Sequence, residues 1–266
     1  MAREREMQAF ARLLDIMDEL REKCPWDRKQ TLQSLRPQTI EEVYELSDAI
    51  MADDLHNISK ELGDVLLHIV FYAKIGQEKE AFDITDVINL LCDKLIYRHP
   101  HVYGAAEVAS AGDVVKNWEQ LKRTEKDGNK TVLSGVPQSL PALIKAYRIQ
   151  DKARAVGFDW DKKEDVWQKV DEEIGEFRTE LAAMDSGESG ARERAEGELG
   201  DVLFSVVNAA RLWDLNPDTA LERTCNKFRD RFTYLELRSK EMGRDLKDMT
   251  LAEMDAIWDE AKAKGL

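Results

Sequence analysis

EEVYELSDAIMADDLHNISKELGDVLLHIVFYA, residues 41–73, holds two short acidic motifs separated by one polar break. EEVYE at 41–45 and ELGD at 61–64 each place carboxylates three residues apart, the spacing that puts two side chains on one helical face. The break ADDLHN (52–57) is too short to do more than turn the chain, so the two segments are predicted to be antiparallel neighbours with their acidic faces opposed. Four carboxylates brought together repel one another and are costly to desolvate. Their oxygens are hard ligands, suited to Mg²⁺ or Mn²⁺. A divalent-metal site of Glu42, Glu45, Glu61 and Asp64 is the expectation.

The arrangement occurs twice. EEIGE at 172–176 and ELGD at 198–201 repeat it and predict a second site of Glu173, Glu176, Glu198 and Asp201. Around these lie further paired landmarks. CPWD (24–27) answers GFDW (157–160), CDKLIYRH (92–99) answers CNKFRDRF (225–232), and Trp118 answers Trp258. Recurrence in the same order points to duplication. The division is an N-terminal domain over 1–125, a Gly-, Pro- and Ser-rich linker over 126–138, and a C-terminal domain over 139–266.

Helical periodicity recurs along both halves. Helices are predicted near 4–22, from Thr39 as N-cap to 51, and near 58–76, 84–97 and 111–126. In the second half they are predicted near 140–155, 163–184, 191–213, 218–241 and 250–264. No alternating run demands a sheet, and the fold class is all-α, two tandem helical bundles. VLLHIVFYA and VLFSVVNAA, which follow the second acidic motif of each half, are apolar nearly all round and predict buried helices, with a subunit interface as one way to bury them. Gly63 and Gly200 inside these helices predict either close backbone approach or room beside the acids.

Composition narrows the function. The 266 residues carry a formal charge of −14, which argues against nucleic acid or an anionic membrane as partner. One small phosphorylated ligand remains compatible, since a metal and a few local cations reverse the field. Three widely spaced cysteines, Cys24, Cys92 and Cys225, fit a reduced chain, and no apolar signal core begins the sequence, so the cytoplasm is expected. Lys169 lies one turn before Glu173, Arg194 one turn before Glu198, and Lys227 and Arg231 share a face; together they would neutralise phosphate oxygens. Trp258 reads either as a base-stacking platform or as core. His68 shares the face of Glu61 and Asp64 and raises a carboxylate–histidine iron site as an alternative, although Ser205 replaces it in the second half. A non-enzymatic helical assembly module is the third reading.

These motifs, with RHPHV at 98–102, SLPAL at 139–143 and VGFDW at 156–160, resemble the MazG family of nucleoside triphosphate pyrophosphohydrolases over nearly the whole chain. The resemblance implies Mg²⁺-dependent hydrolysis of a nucleoside triphosphate, ATP among them, to the monophosphate and pyrophosphate, by a homodimer. Its implied metal ligands are Glu173, Glu176, Glu198 and Asp201. Its implied nucleotide contacts are Lys169, Glu172, Arg194, Lys227, Arg231 and Trp258. Beyond the resemblance, Glu172 and Lys169 are expected to be the catalytic side chains, with Glu172 orienting or deprotonating the water. Broad-specificity cleaning of the nucleotide pool is expected, with a narrow dUTP or dCTP enzyme as the alternative. Gly197 departs from relatives that carry another acid there. In the first half Gln38 stands at the place of Lys169 and Asn57 near that of Arg194, with Lys60 as a substitute. The C-terminal half is therefore expected to carry most of the hydrolysis, and the N-terminal half to bind metal and serve assembly or regulation.

Overall fold

The structure, a computed structural model, describes residues 2–110, 112, 114, 117, 118, 121 and 131–266. Every regular element among them is helical. The expected helix near 111–126 and the start of the linker lie largely outside the described residues. The chain forms two compact units, Met1–Leu121 and Lys122–Leu266.

In the first unit α1 (Ala2–Lys23) precedes the CPWD turn, and α2 (Leu32–Met51) and α3 (Leu55–Glu78) form the hairpin expected from the acidic motifs. Met17 of α1, Leu35 of α2, and Val70, Phe71 and Ile75 of α3 make its core. Each contributes about 1.5–3 kcal/mol through removal from water. Arg21 of α1 pins the CPWD turn by donating to the carbonyls of Asp27 and Gln30, and it pairs with Glu78 at the end of α3. Then follow α4 (Ile84–Arg98) and the single turn α5 (Pro100–Tyr103). Gly76 has no substitute here: the ring of Phe82 lies 2.7 Å from where a Cβ would stand, and its carbonyl oxygen 2.8 Å.

One boundary differs from the sequence expectation. Thr39 is not an N-cap; α2 begins at Leu32, capped by Thr31 in a reciprocal box with Ser34. Pro37 sits inside the helix, where its missing N–H leaves the Gln33 carbonyl without the usual partner. Burial of Leu35, 1% exposed, and the capping box together hold the first turns helical despite that loss.

In the second unit α6 (Ala142–Arg154) is followed by the GFDW turn, a 3₁₀ turn at Lys163–Asp165, and the hairpin of α7 (Val166–Asp185) and α8 (Ala191–Leu212). Val166, Val170 and Ala209 pack between α7 and α8. The Gln150 side chain donates to the Phe204 carbonyl at 2.8 Å and ties α6 to α8. Arg211, buried in α8, reaches Asp159 through Nη1 at 3.1 Å and Nη2 at 2.5 Å, and so anchors the GFDW turn. The helices α9 (Pro217–Glu241) and α10 (Leu251–Ala263) close on Leu235, Met249 and Ile257.

The apolar runs after the acids are buried on one face only: His68, Val70, Phe71 and Ala73 of α3 and Ser205, Val207 and Ala209 of α8 are covered. Leu62 and Ile69 of α3, and Leu199, Leu203 and Phe204 of α8, stay exposed. So does most of α4, which buries no residue and leaves Leu90 70% exposed. Only the faces turned to the hairpin partner, and to α1 or α6, are covered.

Truncating Leu35 to Ala removes a fully buried anchor shared by α1, α2 and α3. A urea titration of Leu35→Ala is expected to show about 3 kcal/mol less stability than the parent, and a loss below 1 kcal/mol would contradict the packing described.

Candidate metal and nucleotide site

The hairpins bring the acids together from opposite helices. In the first unit Glu42 and Glu45 project from α2 and Glu61 from α3, and one carboxylate oxygen of each lies within 4.8 Å of the others. In the second unit Glu173 and Glu176 of α7 meet Glu198 of α8 on the same criterion of 4.8 Å. Asp64 and Asp201 stand outside these triples. Their charges are felt by the triples, since Asp64 acts on Glu42 and Asp201 on Glu198. The expected four-acid sets are therefore each three converged carboxylates with a fourth at the rim.

The two triples are not buried alike. Glu61, on the second helix, is the covered member of the first at 8% exposure; Glu173, on the first helix, is that of the second at 7%. Burial, then the negative charges of Asp64, Glu45, Glu61 and Glu41, pushes the Glu42 carboxyl above its usual range. Burial, then Glu176, Asp201, Glu173 and Glu180, does the same to Glu198. A carboxylate raised by its neighbours is one a divalent cation would relieve. Converged, partly covered, oxygen-only donors fit Mg²⁺ or Mn²⁺. No side chain approaches the space beside Gly63 or Gly200: nothing lies within 4 Å of a Cβ built there. Among the described residues of the single chain no backbone approaches these two glycines closely.

The cationic set divides. Lys169 joins the second triple directly, its Nζ 2.7 Å from Glu173 Oε1 and 2.9 Å from Glu172 Oε1. Hydrogen bonds to these two acids hold it protonated well above the ordinary lysine range. Arg194 instead pairs with Glu180 at 2.8 Å and Glu188 at 2.6 Å. Arg231 lies over the Trp258 ring at 5.9 Å, and its Nε donates to the Leu266 carbonyl. Phe228 packs on the same indole with centroids 4.9 Å apart. Trp258 is thus half-buried with neighbours on it rather than a bare platform. Lys227 is exposed, and among the described residues no ion pair or hydrogen bond joins Lys227, Arg231 or Trp258 to the acidic triple. The first unit repeats one of these pairs, with Arg98 over Trp118 at 5.5 Å, and among the described residues Lys60 approaches its acids, 4.0 Å from Glu61.

His68 proves to be hydrogen-bonded through Nδ1 to Thr39 Oγ1 at 3.0 Å, and it belongs to neither acidic triple. The carboxylate–histidine cluster considered from sequence is not formed. The polar layer it belongs to, with Thr39 and Tyr72, escaped the sequence reading because Thr39 was assigned to a helix cap. Its spacing of three residues before Glu42 was the available signal.

The raised carboxyl at Glu198 has a consequence for stability. A group whose pKa is higher folded than unfolded favours the folded state below its unfolded pKa, and that contribution is lost as pH rises through the folded value. Metal-free protein at neutral pH therefore carries repulsion that Glu198→Gln removes. In chelator at pH 7 the variant is expected to melt above the parent, with the gap closing near pH 4. A lower melting temperature for the variant at pH 7 would show that Glu198 is not repelled.

Comparison with known proteins places this geometry. The description "MazG nucleotide pyrophosphohydrolase domain" matches residues 30–103 and again 162–234, one copy on each acidic hairpin. The chain is 43% identical over 256 residues to a nucleoside triphosphate pyrophosphohydrolase/pyrophosphatase of Thermotoga maritima, covering 95% of each chain. It is 37% identical over 263 residues to a nucleoside triphosphate pyrophosphohydrolase of Escherichia coli, covering 96% of this chain and 98% of that one. With both hairpins matched and nearly every residue aligned, the chain belongs to the MazG family of nucleotide pyrophosphohydrolases, in which it carries the domain twice.

Proposed function

We propose that the protein hydrolyses nucleoside triphosphates between the α and β phosphates, releasing the monophosphate and pyrophosphate, and that the second unit carries most of this activity. The observation behind the reading is the triple of Glu173, Glu176 and Glu198 braced by a protonated lysine. Glu173, Glu176 and Glu198, with Asp201 at the rim, would hold Mg²⁺ or Mn²⁺. When bound, such an ion polarises phosphate oxygens and lowers the pKa of a coordinated water.

The chain's own residues supply the rest. A lysine ammonium has three donors. Two of those on Lys169 go to Glu172 and Glu173, which leaves one for a phosphate oxygen. Glu172 is exposed beside it and is the carboxylate placed to orient or deprotonate the attacking water. Arg194 reaches phosphate by exchanging its bonds to Glu180 and Glu188, an exchange of one anion for another. Lys227 and Arg231, one turn apart on α9, add positive charge, and Trp258 offers an aromatic surface to a base. Relatives described as nucleoside triphosphate pyrophosphohydrolases support the reaction class.

Finer parts of the reading are proposals of the same kind. Broad acceptance of bases is favoured because no side chain in the set is a dedicated hydrogen-bond reader of one base. A homodimer would cover the apolar faces of α3, α4 and α8 that the single chain leaves open. No helix among the described residues is long and apolar enough to cross a membrane. With that, three cysteines without a disulfide suit a reduced cytoplasmic setting.

The first unit has the acids without the lysine, so the halves are expected to differ. Glu173→Ala should lower turnover by at least about 100-fold, with Glu42→Ala changing it by less than about 3-fold. Equal losses would overturn the assignment. A panel of canonical and damaged triphosphates assayed for both products tests the bond cleaved: orthophosphate as sole product would refute α–β hydrolysis.

A further inference from the structure

The two acidic hairpins are braced by different means. In the second unit Lys169 holds Glu173 from the side, and the layer beneath the acids is apolar, made of Val166, Val170 and Ala209. In the first unit Gln38 stands at the lysine's place and Lys60 reaches only 4.0 Å from Glu61. The layer beneath is polar instead. Thr39 replaces Val170, Tyr72 replaces Ala209, and His68 replaces Ser205, whose hydroxyl merely returns to the Val202 carbonyl.

These three side chains form one hydrogen-bonded junction. Thr39 Oγ1 lies 3.0 Å from the Leu35 carbonyl, 2.6 Å from the Tyr72 hydroxyl and 3.0 Å from His68 Nδ1. A hydroxyl has one proton and two lone pairs. The carbonyl can only accept; with Thr39 donating to Leu35, its two lone pairs are left for the Tyr72 O–H and a His68 Nδ1–H. In that arrangement all its capacity is used and His68 carries a proton on Nδ1. Burial, against the smaller pull of Asp64, lowers the His68 pKa and favours the neutral ring.

The junction lies on the acidic stripe of both helices. Thr39 is three residues before Glu42 on α2, and His68 and Tyr72 are four and eight after Asp64 on α3. Hydrogen bonds are directional where apolar contacts are not, so the junction sets the slide and rotation of α2 against α3. That register decides whether Glu42 and Glu45 meet Glu61.

We propose that Thr39, through His68 and Tyr72, is the positioning residue of the first unit's acidic site, performing from beneath the bracing that Lys169 performs from the side in the second. The proposal rests on the reading that these acids hold a divalent cation.

The test uses the full chain with the second site silenced by Glu173→Gln and Glu198→Gln, and Mn²⁺ as probe, followed by electron paramagnetic resonance and calorimetry. In this background Thr39→Val, the second unit's own residue, is expected to weaken Mn²⁺ binding by about 10-fold. Thr39→Ser, which keeps the hydroxyl, should restore it, and Tyr72→Phe should weaken it by a smaller factor. A melting curve in chelator reports folding separately. If Thr39→Val does not fold, Tyr72→Phe decides. Unchanged Mn²⁺ affinity in a folded Thr39→Val or Tyr72→Phe overturns the positioning role and leaves the cation reading intact. Failure of the silenced parent itself to bind Mn²⁺ overturns both.

Discussion

Repulsion among carboxylates is the constraint around which this protein is built. Two glutamates from one helix and one from its antiparallel neighbour are brought within 4.8 Å in each unit. One of each triple is almost fully covered. Such a cluster opposes folding, and burial, then the charge of neighbouring acids, pushes the Glu42 and Glu198 carboxyls upward. The rest of each hairpin holds the acids together against that force. Apolar packing of Leu35 with Val70, and of Val166 with Ala209, supplies the closure. A divalent cation would turn the repulsion into binding energy.

Duplication has let the two units meet this constraint differently. The second unit has a lysine shared between Glu172 and Glu173, and an apolar layer below. The first has no such lysine and a hydrogen-bonded layer below. The arginines at the two turns diverge too: Arg21 of α1 grips backbone carbonyls of the CPWD turn, whereas Arg211 of α8 grips the Asp159 side chain of the GFDW turn. Each solution satisfies polar groups locally.

Exposed apolar surface follows the same logic. Helices carrying acids on one face and leucines on others have only one hairpin partner within the unit. The residues turned away from it, Leu62, Ile69, Leu203 and Phe204 among them, remain uncovered. Periodicity marked these segments as apolar all round; within one chain the stripe carrying Val70 and Phe71 in α3, and Val207 and Ala209 in α8, is covered and the rest is open, because a stripe is buried only where a neighbour exists.

The all-α class, the duplication and the pairing of acids into hairpins can be read from the residues alone, because i,i+3 spacing and one short polar break leave a chain few other arrangements. Family membership was legible for the same reason: its motifs are local. Packing between helices settled which carboxylates converge, since Asp64 and Asp201 share the faces yet stand outside the triples. It also decided that Arg194 is held by Glu180 and Glu188, and that Thr39 lies inside α2 beneath the acids rather than at a helix start. These depend on contacts between helices, and the register of one helix against another is set by packing and hydrogen bonds that no spacing along a single strand of residues contains.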